Sequence, residues 1–509
     1  MILVEILEGQ LRRGSGNAPA LIHDGQTWSY VDLLERAAAV ASAATDGLTG
    51  NQTVAVLGEN HPDTVAAYYG VASAGRVLTF LNHRLAEEEL LGQLERSAAG
   101  ILLASPAQAQ RIAPRCPDLP IIEFGAPLPT GRPRWSAKAD DAAWLLFTSG
   151  TTGTPKGALL SHASLLAAIG SSSQARPLRD DDVIAFPFPL CHVAGYNVLR
   201  SHDAGRPVVL LDGFSAPGLV SAIADHGVTS VSLAATMLAQ LLDLLEDDGE
   251  ALAAVQTLRT IAYGASPMPV ELLRRADALL SVELSQGFGM TELSGNAVFL
   301  DPSAHRRGFD TDPTVLSSAG IPGPGVELRL VDPDDHEVPD GDVGEICIAG
   351  AQVMLGYLDD PAATEAALRG GWMHTGDLGR IRPDGLLEVV DRLKDMIVTG
   401  GENVASLEVE RAISAAFPEV AEVAVVAVPD PTWGENVCAC VTLVDSRMIS
   451  VDDLADRLRG SLAGFKTPRH LVVLDALPTT HSGKAAKAEL RRLLAAEPHR
   501  LGARRGGAR

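Results

Sequence analysis

The period of apolar and polar positions changes repeatedly along the 509 residues, and the changes mark elements. Continuous apolar runs at Thr53-Val54-Ala55-Val56-Leu57, Ala142-Ala143-Trp144-Leu145-Leu146 and Val208-Val209-Leu210-Leu211 predict buried strands. Between such runs lie stretches of helical period. Glu271 to Leu280 puts Leu272, Leu273, Ala276, Leu279 and Leu280 on one face. This alternation predicts an α/β fold of layered sheets covered by helices. Near Pro322 the texture shifts. Val326-Glu327-Leu328-Arg329-Leu330-Val331 alternates with period two, Asp332 to Gly344 is rich in turn residues, and Glu345 to Ala349 reads as a further strand. A mostly antiparallel, β-rich subdomain is expected there.

A second pattern begins at Lys394. Ser406 is placed to cap a helix carrying Val409, Ala412, Ile413 and Phe417, strands are expected at 423–428 and 437–444, and a helix from Val451 to Leu462. A chain of this length exceeds one ordinary core. We therefore expect a large N-terminal α/β domain over 1–393, a small, mobile α+β domain over 394–499, and a disordered Gly/Arg-rich tail over 500–509. No internal repeat is evident.

Composition narrows the partners. The chain carries 64 acidic against 41 basic residues, a net charge of −23, which argues against nucleic acid as a ligand. Any polyanionic substrate must be held by local cations against this field. The five cysteines (Cys116, Cys191, Cys347, Cys438, Cys440) lack paired metal spacing and read as reduced thiols of a cytoplasmic protein. Cys438 and Cys440, two apart on an extended run, share one face, and packing explains them. Cys191 and His192 are adjacent on an extended segment and point apart, which disfavours a catalytic pair. No apolar stretch reaches bilayer-spanning length, the N-terminus does not read as a secretory signal, and nothing fixes an oligomeric state.

The densest chemistry follows the 142–146 run. Thr148 to Gly157 holds three glycines, five hydroxyl side chains and one lysine in ten positions. Glycines let backbone N–H groups turn inward, hydroxyls donate, and a lysine offsets charge, so such a loop can wrap phosphates. The spacing of Gly150, Gly153 and Lys156 is not that of a Walker A loop. A flexible Ser/Gly linker is the plainer alternative, and Pro155-Lys156-Gly157 placed directly after a buried strand argues against it.

Phe147-Thr148-Ser149-Gly150-Thr151-Thr152-Gly153-Thr154-Pro155-Lys156-Gly157 resembles the phosphate-binding signature of the adenylate-forming superfamily: acyl-CoA synthetases, nonribosomal adenylation domains and luciferases. Four more elements follow in that family's order: Phe288-Gly289-Met290-Thr291-Glu292, Thr375-Gly376-Asp377, Asp391-Arg392-Leu393-Lys394-Asp395 with Gly400-Gly401-Glu402-Asn403, and Ser482-Gly483-Lys484. The likeness spans nearly the whole chain and is nearest to acyl-CoA synthetases.

The resemblance implies roles. Thr148, Ser149, Gly150, Thr151, Thr152, Gly153, Thr154 and Lys156 would cradle the β- and γ-phosphates of ATP. Gly264, Ala265 and Ser266 would lie beside adenine, with Phe288 and Gly289 packing on it. Thr291 would reach the α-phosphate and Glu292 a Mg²⁺ ion, a metal that takes few carboxylates when phosphates and water complete its shell. Asp377 would accept from the ribose diol with Arg392 assisting. Lys484 would stabilise charge developing at the α-phosphate. Lys394 would be the hinge, and Gly400, Gly401 and Glu402 would line a tunnel for phosphopantetheine. Ala405-Ser406 departs from a common proline there. Lys487 reads as a solvated neighbour of Lys484.

The acyl pocket is expected to draw on His192, Val193, Gly195, Gly289, Ser294 and Asn296. These are small and mostly apolar, with no evident basic residue to anchor a second carboxylate. A bulky apolar acid, aryl or alicyclic, is expected, and malonate-like diacids are disfavoured. Arg200-Ser201-His202-Asp203 is polar where relatives are apolar, and the sequence leaves open an exposed turn or a substrate contact. The implied reaction is an ATP- and CoA-dependent acid–thiol ligation through an acyl-adenylate. The alternative hands the acyl group to a carrier-protein phosphopantetheine. An amino-acid adenylation domain is disfavoured, because Val193-Ala194-Gly195 offers no acid for an amine. A luciferase-like oxygenase would share the scaffold. A catalytically dead nucleotide binder would have lost Lys484, Glu292 or Asp377, and all three are present.

Overall fold

The structure is a computed structural model that describes residues 1–45, 47–128, 135–148, 155–264, 268–444, 449–480, 485–500 and 502–503. The chain divides into two compact units, one of residues 1–328 with 347–374, the other of 329–346 with 375–509.

The first unit is layered α/β. Its nine-stranded sheet places Glu283–Met290 between Thr260–Gly264, to which it runs parallel, and Gly295–Leu300, to which it runs antiparallel. A seven-stranded sheet runs from an edge at Gly356–Tyr357 through Lys156–Ser161 and Ala142–Thr148 to Leu78–Leu81 and Thr53–Leu57. The apolar runs at 53–57 and 142–146 are buried central strands, as their continuous hydrophobicity demands. The helix Val270–Leu279 buries Leu272, Leu273 and Ala276 against Leu233, Ile261 and Leu284 of the larger sheet. Helix His162–Ala175 begins at Ser161, whose Oγ accepts the Ser164 N–H at 3.0 Å.

The β-rich region past Pro322 contains the strands Val326–Val331, Gly344–Gly350, Met373–Ile381 and Leu387–Arg392. The period-two reading of 326–331 predicts an inward and an outward face. Instead Leu330 and Val331 are both buried, while Val326 and Leu328 are half-buried.

In the second unit the long hairpin Val420–Asp430 and Gly434–Leu443 packs helix Ser406–Ala416 on one face and helix Lys487–Ala496 on the other. Cys438 and Cys440 lie together on the second face beside Ala424, Val426 and Leu490, so both thiols are packing groups. Three expectations shift. The N-cap of the 406–416 helix is Ala405, and Ser406 is its first residue. The helix expected from Val451 to Leu462 ends at Arg457. The tail from 500 is described only at Arg500, which closes a 3₁₀ turn, and at Gly502–Ala503, which pairs with His470–Leu471.

Candidate functional site

The strand Glu283–Met290 runs through Gly287 and Gly289 and stops at Thr291. The glycines are therefore strand residues. Gly289 is needed for close approach, since a Cβ there would lie 2.0 Å from the Gly295 carbonyl oxygen. Thr291–Leu293 forms one 3₁₀ turn, Ser294 takes φ 55°, and the chain returns as Gly295–Leu300 with Gly289 opposite Asn296. Phe288 stays half-buried one position earlier, and Gly264 ends the neighbouring strand opposite Gly287.

Glu292 leaves this turn buried, with 5% of its surface exposed. Its Oε1 accepts a hydrogen bond from the Tyr357 hydroxyl at 2.9 Å and lies 3.5 Å from Thr148 Oγ1. Lys156 starts the strand opposite Thr148, and its Nζ sits 5.0 Å over the Tyr357 ring. Burial and the Glu292 carboxylate push the Tyr357 hydroxyl well above the ordinary phenol range, so it stays a donor. At the exit of the same loop Arg96 donates to the Pro155 carbonyl at 2.9 Å and lies 5.1 Å over the Phe147 ring. Thr148 and Lys156, paired across one hairpin, thus have Glu292 as a neighbour from far along the chain. Ser149, Gly150, Thr151, Thr152, Gly153, Thr154, Ala265 and Ser266 lie outside the described residues.

Sequence reasoning missed Tyr357. Its signal is a lone Gly-Tyr pair after an apolar stretch, which reads as packing until the strand pairs with 156–161.

The two segments expected to shape an acyl pocket meet through another unflagged residue. His192 leads into the turn Val193–Gly195 and the helix Tyr196–Asp203. A Cβ on Gly295 would lie within 2.9–3.1 Å of the Tyr196 ring, so this ring is packed on the hairpin that carries Gly289 and Asn296. Gly195 is packed equally tightly, with the Tyr68 hydroxyl 2.2 Å from a would-be Cβ. Ser294 is buried and its hydroxyl bonds Ser164 Oγ at 2.9 Å, which commits it to the 162–175 helix. Burial lifts the Cys191 thiol to about 12, so it is inert at neutral pH.

The polar stretch 200–203 is not an exposed turn. It completes the 196–203 helix with Arg200, Ser201 and His202 buried. His202 accepts from the Tyr69 hydroxyl at 2.8 Å on Nδ1 and faces the Ala20 carbonyl at 3.0 Å with Nε2, which fixes a neutral ring. Arg200 donates to the Arg176 carbonyl, and burial together with the Arg176 charge pulls its pKa down to about 9.

In the second unit, Asp377 and Arg392 are register partners on antiparallel strands. Gly400 and Gly401 have φ of 61° and 85° and join the strands Ile397–Thr399 and Glu402–Val404, the backbone of a two-residue hairpin turn. The turn favours glycine at both positions, and a Cβ on Gly400 would also lie 2.6 Å from the Trp433 ring. Lys394 is exposed, and partial desolvation and the Arg392 charge lower its pKa. Lys484 lies outside the described residues. Lys487 is not solvated. Its ammonium lies 2.7 Å from Glu410 and 2.6 Å from Ser406 Oγ, with 13% of the side chain exposed. The first turn of its helix packs it inward, and the acid it meets is distant in sequence.

Residues 7–358 match the family described as AMP-binding enzyme, and residues 408–484 match the AMP-binding enzyme C-terminal domain. Feruloyl-CoA synthase of Amycolatopsis sp is 36% identical over 502 residues, covering 94% of this chain and 96% of its own. The fatty acid–[acyl-carrier-protein] ligase ScoC of Streptomyces coeruleorubidus is 33% identical over 490 residues, covering 93% of each. The solved structure of o-succinylbenzoate CoA synthetase from Bacillus subtilis, in complex with its acyl-adenylate intermediate, matches with a TM-score of 0.85 at 29% identity over 99% of both chains. Among the described residues no helix is long and apolar enough to cross a membrane.

Proposed function

Since the chain belongs to the AMP-binding enzyme family and is an acid–thiol ligase, we propose that it activates a carboxylic acid with ATP and transfers the acyl group to the thiol of CoA. A carboxylate oxygen attacks the α-phosphorus and pyrophosphate leaves. The thiol sulfur then attacks the acyl carbon, loses its proton, and AMP departs.

The observation that carries this reading is the meeting of Thr148, Lys156 and Glu292 beside the strand bearing Phe288 and Gly289. The donor set fits a small, hard cation held mainly by phosphate. It offers one carboxylate and a hydroxyl. Magnesium bound there would neutralise phosphate charge. The residues do the rest: Lys156 and the 149–154 loop grip the outer phosphates, Thr291 meets the α-phosphate, and Phe288 and Gly264 border the base.

Asp377 is assigned the ribose hydroxyls, with Arg392 holding its carboxylate. Lys484 is assigned the cation of the adenylation step. Lys394 is assigned the hinge between lobes 1–393 and 394–499, exchanging that lysine for the Gly400–Glu402 loop and the pantetheine arm. His192, Val193, Gly195, Gly289 and Asn296, joined by Tyr196, are assigned the acyl pocket. The Tyr196 ring packed against Gly295 and the feruloyl-CoA synthase likeness support a bulky aryl acid.

A screen of aryl, alicyclic and linear acids for pyrophosphate release, with and without CoA, tests the reading. Acid-dependent release with CoA consumption is expected. Release that needs no acid contradicts it. Acid-dependent release without CoA consumption supports the carrier-protein acceptor, which the ScoC likeness also favours.

A further inference from the structure

Tyr357 touches two groups of opposite charge with two different parts of one ring. Its hydroxyl donates to Glu292 Oε1 at 2.9 Å, and its face lies 5.0 Å beneath the Lys156 ammonium. Among the described residues Lys156 has no carboxylate in ion-pair range, although Glu292 is close by. The backbone holds the ring there. Gly356 and Tyr357 pair with Leu159 and Ala158, while the Leu355 and Leu358 N–H groups donate to Leu159 and Gly157 at 2.8 and 2.7 Å. The Met354 N–H donates to the Glu292 carbonyl at 2.9 Å, and the Tyr357 N–H to Thr364 Oγ1 at 2.8 Å. Gly356 has φ 149°, and a Cβ there would meet Thr364 at 2.7 Å, so this approach excludes any other residue.

Chemistry explains why a phenol suits this place. A carboxylate meant for a divalent cation must be oriented without being neutralised. An arginine or lysine partner would orient Glu292 but compete with the metal for its charge. A neutral O–H donor fixes the carboxylate plane through one of about four acceptor sites and leaves the charge in place. The ring face gives the ammonium a weak electrostatic seat, on the order of 1 kcal/mol, from which phosphate can draw it.

We infer that Tyr357 is a positioning residue for both arms of the ATP–metal site, holding Glu292 for the divalent cation through its hydroxyl and Lys156 for the phosphates through its ring. The inference rests on the ATP–metal reading above.

The test uses full-length protein and two substitutions, Tyr357→Phe and Tyr357→Leu, with two binding measurements that need no turnover. Manganese binding in the presence of ATP is read from the free Mn²⁺ resonance signal, and ATP binding in EDTA by calorimetry. Y357F keeps the ring and loses the hydroxyl. It should weaken Mn²⁺ binding about tenfold, as expected for a lost hydrogen bond to a charged group, and change metal-free ATP binding by less than about twofold. Y357L should weaken both. Glu292→Gln should abolish the difference between Tyr and Phe at 357. Y357F with wild-type Mn²⁺ affinity overturns the inference, as does an equal loss with and without the metal, which marks general disruption. If Y357L does not fold, Y357F alone decides. Wild-type protein that fails to bind Mn²⁺–ATP overturns the parent reading and this assignment with it, whereas wild-type binding with Y357F unaffected overturns this assignment alone.

Discussion

Arg392 Nε lies 3.0 Å from Asp377 Oδ1, a pair set by strand register and not by proximity in sequence. The guanidinium is about half exposed and the carboxylate almost covered, so the arginine orients one carboxylate oxygen. If that carboxylate receives the ribose hydroxyls, Asp377→Asn should raise the KM for ATP roughly ten- to hundredfold, the size of a lost charge-assisted hydrogen bond. Arg392→Gln should raise it less. Steady-state pyrophosphate release against ATP concentration measures both. Equal, small effects on every substrate would contradict the ribose assignment.

Lys487 and Glu410 form a covered ion pair beneath the second unit's hairpin. Lys487→Met strands a buried carboxylate and should cost about 3–5 kcal/mol of stability. Adding Glu410→Met should recover most of that loss, because a well-packed apolar pair replaces the ionic one. Thermal or urea unfolding of the two variants measures the effect. An unchanged midpoint in the single variant would contradict the burial described.

Acid should unfold the first unit earlier than its carboxylates alone require. His162, His202 and His305 each place one ring nitrogen against a carbonyl oxygen and the other against an N–H or O–H donor, so each is held neutral. Burial pulls each pKa down to about 4. The unfolded imidazole takes its proton near pH 6.5, so between about 6.5 and 4 the unfolded chain binds more protons and stability falls with falling pH. The contribution is complete above about 6.5 and is lost by about 4. Its size is on the order of 3 kcal/mol for each ring. His202→Gln, which can still donate and accept, should flatten the melting temperature's dependence across this interval. An unaltered slope would contradict the neutral-bridge role.

The buried strands were legible because a strand covered on both faces needs an unbroken apolar run, and 53–57 and 142–146 supply one. The 148–157 run and Thr291-Glu292 suggest their proposed chemistry from the sequence for a different reason, as the residues that carry it are contiguous. Tyr357 was not, because its role arises only when a two-residue edge strand pairs with residues some two hundred positions earlier. Lys487 misled for the same reason: a lysine reads as solvated until its acid, Glu410, is brought beneath it. The 200–203 stretch left an exposed turn and a substrate contact both open, since its polarity hides a helix in which the buried His202 ring is held by Tyr69 and the Ala20 carbonyl. At Gly400-Gly401 the residue types were noticed, and the left-handed conformation that demands them appeared only in the backbone.

The account turns on a lysine delivered for adenylation and dispensable afterwards, and Lys484→Ala tests it most directly. The two half-reactions are followed separately: acyl-AMP formed from acid and ATP, and acyl-CoA formed from supplied acyl-AMP. The account predicts that the variant loses adenylate formation while still converting supplied acyl-AMP to the thioester. Loss of both steps to the same degree, or full adenylate formation without the lysine, would contradict it.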